Sequence, residues 1–231
     1  MKRTVEPEWL DELPPNDPRA VGSRRDLQRL NRIMGHAGTL SSLLHARKNR
    51  PAPKRIVELG SGDGTLMLKL ARRLAPAWQQ VEVVLLDGKD AVADDTRRRI
   101  EALGWKIEIV AADVFEFLKK PANPPADLML ANLFLHHFSE PQLEMLFRLA
   151  AARTKLFAAC EPRRALVPLV FSRLVAFIGC NAVTRRDAPL SVRAGFAGRE
   201  LSALWPADYC WQLREGAAHL FTHTFFAESR N

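Results

Sequence analysis

The sequence predicts an α/β fold: a mostly parallel sheet wrapped by helices and finished by an antiparallel hairpin. Three observations carry this. Ile56-Val57-Glu58-Leu59 is a short apolar run that enters Gly60-Ser61-Gly62-Asp63-Gly64, and Thr65-Leu66-Met67-Leu68-Lys69-Leu70 then opens a helix. Strand, glycine turn, helix is the first unit of a nucleotide-binding α/β sheet. Apolar strand-length runs and helix-length segments then alternate as far as Cys160, as right-handed parallel crossovers require. Beyond Pro206 the alternation ends, and two short alternating segments with Glu215-Gly216 between them read as a hairpin.

Each element has a local reason. Pro7, Pro14, Pro15 and Pro18 among acids make residues 1–20 an extended arm, which Trp9 and Leu10 can pin to the body. Ser23 with Asp26 three residues on resembles a capping box. It would open a helix through Leu27, Leu30, Ile33 and Met34, broken by Gly35 and Gly38, before a second helix over Thr39–Lys48. Residues 1–50 are thus an arm and cap helices over the ligand face, or simple packing helices, and residues 51–231 the main domain. Pro51-Ala52-Pro53 stops the chain ahead of the sheet.

Strands follow at 55–59, 81–87, 105–111, 126–132 and 154–160. Helices lie between them at 64–74, 90–103, 114–120 and 139–153, with Pro76, Gly104 and Pro121 as stops. Val81–Asp87 is almost continuously apolar, as for a strand covered on both faces. Residues 164–180 are the most apolar, but Pro168, Ser172 and Arg173 interrupt them. They fall short of the about 20 apolar residues of a membrane span, so a buried or lid helix is expected. Residues 181–206 form an insertion, a substrate-side lid with Arg185, Arg186 and Arg193, ending in a short helix near 199–204. Tyr209–Leu213 and His219–Phe226 are the hairpin strands.

Composition narrows the classes. Three cysteines without C-x-x-C spacing imply neither a disulfide framework nor a zinc site, and no metal is expected. The charged, proline-rich start has no apolar core, so it is no secretory signal, and a cytoplasmic setting fits. A net charge of +8 raises nucleic acid. The basic pairs are scattered over helix faces, which makes nucleic acid an unlikely partner and a small-molecule acceptor the expected one.

Ligands of open α/β sheets bind beyond the carboxyl ends of the strands. The first strand ends in the glycine turn of Gly60, Ser61 and Gly62, where a ligand can approach the backbone closely, and the N–H groups at the helix start remain free for a polar or anionic ligand. Next comes Asp87-Gly88: a carboxylate that can accept both hydroxyls of a ribose, and a residue that leaves room for a nucleoside. Asp87 as a mere strand terminator is the plainer alternative. At the third strand end Asp113 can take an adenine amino group while Val114 packs on the ring; Asp113 can also cap the following helix, or do both. The fourth ends in Asn132-Leu133-Phe134-Leu135-His136-His137-Phe138, whose histidines are either substrate-facing or core and capping residues.

The spacing E-x-G-x-G-x-G, with Glu58 two residues before the first glycine and Thr65 where a dinucleotide fingerprint has its third, resembles motif I of the class I S-adenosylmethionine-dependent methyltransferases. The N-x-x-L-H-H sequence from Asn132 to His137 resembles their ubiquinone/menaquinone-type small-molecule branch. The resemblance implies a Rossmann-like seven-stranded, mostly parallel sheet with a terminal antiparallel hairpin, and S-adenosyl-L-methionine as cofactor. It implies that Glu58, Gly60 and Gly62 line the methionine side, Asp87 the ribose, Asp113 and Val114 the adenine, and Asn132 the strand-four floor. Leu133-Phe134 replaces the two prolines of amide and adenine N-methyltransferases, which argues against those substrates. More weakly, Pro7-Glu8-Trp9-Leu10, Ser23–Leu27, Glu161–Arg164, Arg193–Phe196 and Glu200–Pro206 resemble small methyltransferases found beside type III polyketide synthases, implying a phenolic or polyketide-derived acceptor.

A sulfonium methyl is already activated, so transfer needs mainly positioning of the acceptor. For a phenol or ring carbon a base helps, and His136 or His137 is the candidate, with His219 and His223 in reserve. Competing expectations are an RNA methyltransferase, a non-catalytic cofactor-binding protein of the same fold, and a nicotinamide oxidoreductase, which Thr65 and the hairpin disfavour.

Overall fold

In a computed structural model, which describes residues 1–14, 16–47, 50–207 and 210–230, the chain opens with α1 (Trp9–Glu12), α2 (Pro18–Met34) and α3 (His36–His45). Then come β1 (Arg55–Leu59), α4 (Thr65–Leu74), β2 (Glu82–Asp87), α5 (Asp94–Glu101), β3 (Lys106–Ala111), α6 (Val114–Lys119) and β4 (Leu128–Asn132). A 3-10 turn (Leu135–His137) leads to α7 (Glu140–Ala151), β5 (Leu156–Pro162) and α8 (Leu166–Arg173). A second such turn (Val175–Ile178), α9 (Ala182–Ala194), α10 (Glu200–Leu204), β6 (Trp211–Ala217) and β7 (Thr222–Ser229) complete the chain.

Seven strands form one sheet in the order β3-β2-β1-β4-β5-β7-β6. β1 to β5 are mutually parallel, and β7 pairs antiparallel with β5 and with β6. This is the expected mixed sheet with its end hairpin. The first crossovers run outward from β1 to β3, and the chain then returns to β4 beside β1. The order therefore reverses between β1 and β4, which opens a crevice at their carboxyl ends.

Strand alternation feeds two apolar layers. Ile56 packs with Leu40, Leu44, Met67, Leu70 and Leu74 of α3 and α4 on one face. Val57 and Leu59 pack with Phe117, Leu146, Phe147 and Leu201 of α6, α7 and α10 on the other. Phe147 lies against Phe157, Phe225 and Trp205, with ring centroids 5.1–5.7 Å apart. Each such buried ring contributes about 1.5–3 kcal/mol of transfer free energy.

Several expectations need correction. The second helix does not begin at a Ser23–Asp26 capping box. It begins at Pro18, with Asp17 accepting from the Arg19 N–H, because Ser23 and Asp26 are buried and spent on Thr184 and on the Asn181 N–H. Part of the arm is helical, as α1, and Gly38 lies inside α3 rather than breaking it. α5 starts at Asp94 instead of residue 90, since Val92 packs against the glycine turn beside Gly64. The hairpin reverses at 218–221, not at Glu215-Gly216. Glu215 stays in β6 because its carboxylate receives the Leu201 and Ser202 N–H groups at the start of α10 and bonds His223 Nε2 at 2.8 Å. The 164–180 stretch is not one buried helix but α8 plus a 3-10 turn, with most apolar side chains outward. The expected roles of the Ile33 side chain, Lys48 and Tyr209 lie outside the described residues.

Candidate active site

The glycine turn after β1 is stapled to β2. Gly60 and Ser61 donate N–H bonds to the Leu86 carbonyl (2.9 and 3.1 Å), and Gly62 donates to Asp87 Oδ2 at 2.9 Å. Gly60 has φ +68°, and a Cβ there would run into the Phe134 ring. Gly62, at φ +53°, faces open space. Gly60→Ala is therefore expected to cost the left-handed strain of about 1–2 kcal/mol plus displacement of Phe134. Gly62→Ala should cost the strain alone. Comparing their unfolding midpoints and ligand affinities isolates the Phe134 contact.

Polar groups are left waiting in this turn. Glu58, 1% exposed, has its Oε2 buried without a hydrogen-bond partner, as is Ser61 Oγ. Burial, reinforced by Asp63 and Asp87, pushes the Glu58 carboxyl well above the usual range. A cationic amine is the group that would relieve it. Asp87 is held from both sides, with Lys89 N–H on Oδ1 at 3.1 Å. Each oxygen keeps a further lone pair. Gly88 has nothing within 4 Å of where a Cβ would stand.

At the end of β3, Asp113 Oδ1 accepts the Phe115 and Glu116 N–H groups (2.9 and 3.0 Å) and caps α6. The capping reading therefore holds, and Oδ2 remains for a ligand. Val114 is buried beneath. At the end of β4, Asn132 Oδ1 lies 2.7 Å from His36 Nδ1, while His36 Nε2 lies 3.0 Å from Thr222 Oγ1. An amide oxygen only accepts, so His36 donates from Nδ1. Burial lowers its pKa.

Leu133 then takes φ +52° and turns the chain across the crevice. Phe134 and Leu135 donate N–H bonds to Glu161 Oε1 at 3.0 and 2.8 Å. Glu161 Oε2 bonds His136 Nδ1 at 2.8 Å. Fully buried Glu161 would be driven up by desolvation, but His136 and the backbone donors hold it below the carboxylate range. His136, 4% exposed, would be driven down by burial; its bond to Glu161 and the charge of Glu8 prevail and push it up to about 9.

Its other nitrogen, Nε2, faces Glu8 Oε1 at 3.7 Å, too far for a hydrogen bond. His137 Nδ1 bonds the Phe134 carbonyl at 3.0 Å, and Nε2 stands 3.8 Å from both Glu8 and Asp11. Glu8, His136 and His137 each bring a donor atom within 4.8 Å of one another and are the group of three that could hold a cation among the described residues. The proton that His136 carries sets one positive charge between the Glu8 and Glu161 carboxylates.

Glu8 arrives on a strap, residues 3–12, lying over α9 and the crevice. Arg3 donates to the Ala194 and Phe138 carbonyls and sits 4.6 Å over the Phe196 ring. The Trp9 and Leu10 N–H groups bind the Asp187 carboxylate, and Arg186 lies over the Trp9 ring. Lys89 Nζ, just past β2, donates to the Asp11 carbonyl. The strap thus spans from the β2 end to the β4 end.

Glu58, Gly60, Ser61, Gly62, Asp87, Gly88, Asp113, Val114 and Asn132 all lie along the carboxyl ends of β1 to β4, with His136 and His137 beyond Asn132. The reserve histidines do not join them. His223 is committed to Glu215, and His219 is exposed in the hairpin turn. Glu8, His36 and Glu161 are participants to which the sequence analysis gave no role. Glu161 was findable: it is the carboxylate at the fifth strand end, as Asp87 is at the second.

Residues 56–155, which contain the glycine turn, Asp87, Asp113 and the two histidines, match the family described as a methyltransferase domain. That stretch is similar to a methyltransferase domain. Solved methyltransferases agree at the level of fold. The plantazolicin methyltransferase BpumL, in complex with a monoazolic desmethylPZN analog and SAH, superposes with a TM-score of 0.64 at 13% identity, over 93% of this chain and 91% of that one. An O-methyltransferase family protein from Burkholderia thailandensis gives 0.60 at 18% identity, over 93% of this chain and 60% of that one. The mitomycin 7-O-methyltransferase MmcR gives 0.59 at 20%, over 95% and 60%. The chain thus spans 60% of the length of the last two. No curated protein matches the chain by sequence. The fold matches that of these Rossmann-like methyltransferases, and no helix among the described residues is long and apolar enough to cross a membrane.

Proposed function

We propose that the protein uses S-adenosyl-L-methionine to methylate a small acceptor, phenolic or polyketide-derived, on oxygen or carbon. One observation carries the reading: a histidine backed by a buried carboxylate stands at the β4 end beside a glycine turn that holds an unpartnered buried acid. When bound, the cofactor supplies an electrophilic methyl group. The chain's own residues do the rest. Glu58, with Ser61, meets the ligand's cationic amine. Asp87 accepts the ribose hydroxyls, Gly88 leaves space beside them, and Asp113 with Val114 takes the adenine. Asn132, oriented by His36, floors the methionine side.

His136 Nε2, opposite the nitrogen held by Glu161, is the proton acceptor for the bound hydroxyl or ring carbon. His137 and Glu8 flank it and orient the acceptor. The likeness to the ubiquinone/menaquinone branch, and more weakly to enzymes beside type III polyketide synthases, supports this acceptor class, as do neighbours such as the mitomycin O-methyltransferase.

Calorimetry with S-adenosylhomocysteine and with NADH, followed by methyl transfer to a panel of phenols, tests the reading. Micromolar binding of the former alone, with turnover on a phenol, supports it. Binding of NADH, or cofactor binding without transfer to any small acceptor, overturns it.

A further inference from the structure

Amphipathic helices of globular proteins turn their apolar side inward; α8 does the reverse. Its buried residues are Pro168 and Ser172. Leu166, Val167, Val170, Phe171 and Leu174 repeat at i, i+1, i+4, i+5, i+8 on the outward side, and Phe177 and Ile178 extend them onto the 3-10 turn. Leu166 is 68% and Phe177 85% exposed. The patch continues onto the hairpin turn, where Phe221 meets Phe171 edge-on at 5.5 Å and Leu220 is exposed. A contiguous apolar face of this kind marks an interaction site.

Charge identifies the occupant. From Pro162 to Arg186 there is no Asp or Glu, but there are five arginines. Arg164 and Arg186 are spent on Glu200 and Asp187. Arg163, Arg173 and Arg185 enter no ion pair among the described residues. Outward aromatic and aliphatic side chains amid unpaired arginines are what a lipid surface of negative charge takes up. α8 has eight residues, about 12 Å of helix, and is too short to span. We infer that α8, the following turn and the β6–β7 turn dock the protein on an anionic bilayer, with Phe177 and its neighbours in the headgroup–acyl boundary. β5 leads directly into α8, so docking would set the carboxyl side of the sheet toward the lipid.

Cosedimentation of the full chain with vesicles tests this. Binding is expected with phosphatidylcholine–phosphatidylglycerol vesicles, at least about tenfold weaker with phosphatidylcholine alone, and reversed by high salt. Phe177→Ser should weaken binding about tenfold and Arg173→Glu about fivefold or more. S-adenosylhomocysteine calorimetry on both variants reports their folding, since neither residue belongs to the crevice. The inference is overturned if neither vesicle binds, if both variants bind as well as the wild type, or if ultracentrifugation finds a dimer that Phe177→Ser dissolves while vesicles are ignored.

Discussion

Glu161→Gln is expected to slow methyl transfer by about two to four orders of magnitude near neutral pH, with S-adenosylhomocysteine affinity little changed. Glu161 Oε1 receives the Phe134 and Leu135 N–H groups, so the glutamine oxygen must take that place. Its NH2 then points at His136 Nδ1, which can only accept from it. The imidazole proton moves to Nε2, and the nitrogen facing the crevice has no lone pair for the acceptor's proton. Single-turnover rates, with calorimetry as the control for binding, decide it; an unchanged rate removes the histidine–carboxylate pair from the mechanism.

The wild type carries a pH signature of the same arrangement. With His136 at about 9, its neutral form is roughly one part in a hundred at pH 7. kcat/KM should therefore climb about tenfold per pH unit and level near 9. Glu8→Gln removes one of the charges that raise His136 and should move the limb to lower pH, quickening transfer at pH 7. Stability runs the other way. The folded pKa lies above the ordinary 6.5, so the stabilisation is complete below about 6.5 and lost as pH rises through about 9. The thermal midpoint should fall over the interval in which the rate rises.

Asp87→Ala is the second large effect: S-adenosylhomocysteine should bind about a hundredfold to ten-thousandfold more weakly. On the proposed reading, two charge-assisted hydrogen bonds to ribose hydroxyls would disappear, at about 1.5–3 kcal/mol each. The anchors on the Gly62 and Lys89 N–H groups go with them, so the glycine turn loses its fixed distance from β2. Asp87→Asn, which keeps the shape and loses the charge, should fall between. Equal affinity in wild type and Asp87→Ala would place the ribose elsewhere.

The parts of this site that the sequence made legible are those decided by local chemistry. Strand ends at Leu59, Asp87 and Asn132 fall where apolar runs meet glycine, acid or amide, because both faces of a central strand must be apolar and its end must not be. What stayed hidden depended on distant partners. Ser23 and Asp26 look like a cap until Thr184 and Asn181 arrive to consume them. Glu215 looks like a turn residue until α10 needs its carboxylate. Glu8 sits 128 residues before His136 in the chain, and no periodicity joins them. The outward apolar side of α8 was invisible because spacing shows that a helix has a stripe, not which way it faces.

The strap of residues 3–12 has a consequence in time rather than in space. It is tied at the β2 end through Lys89 and at the β4 end beside His137, while Arg3 and Asp187 pin its length to the body. If a ligand lying between those strand ends leaves beneath the strap, these bonds must open first. Each turnover then holds two clocks, one for transfer and one for lifting the strap, and the slower sets the steady rate. If lifting is slower, the first equivalent of product forms in a burst. Loosening the strap would then shorten the ligand's residence and raise throughput without touching a reacting atom.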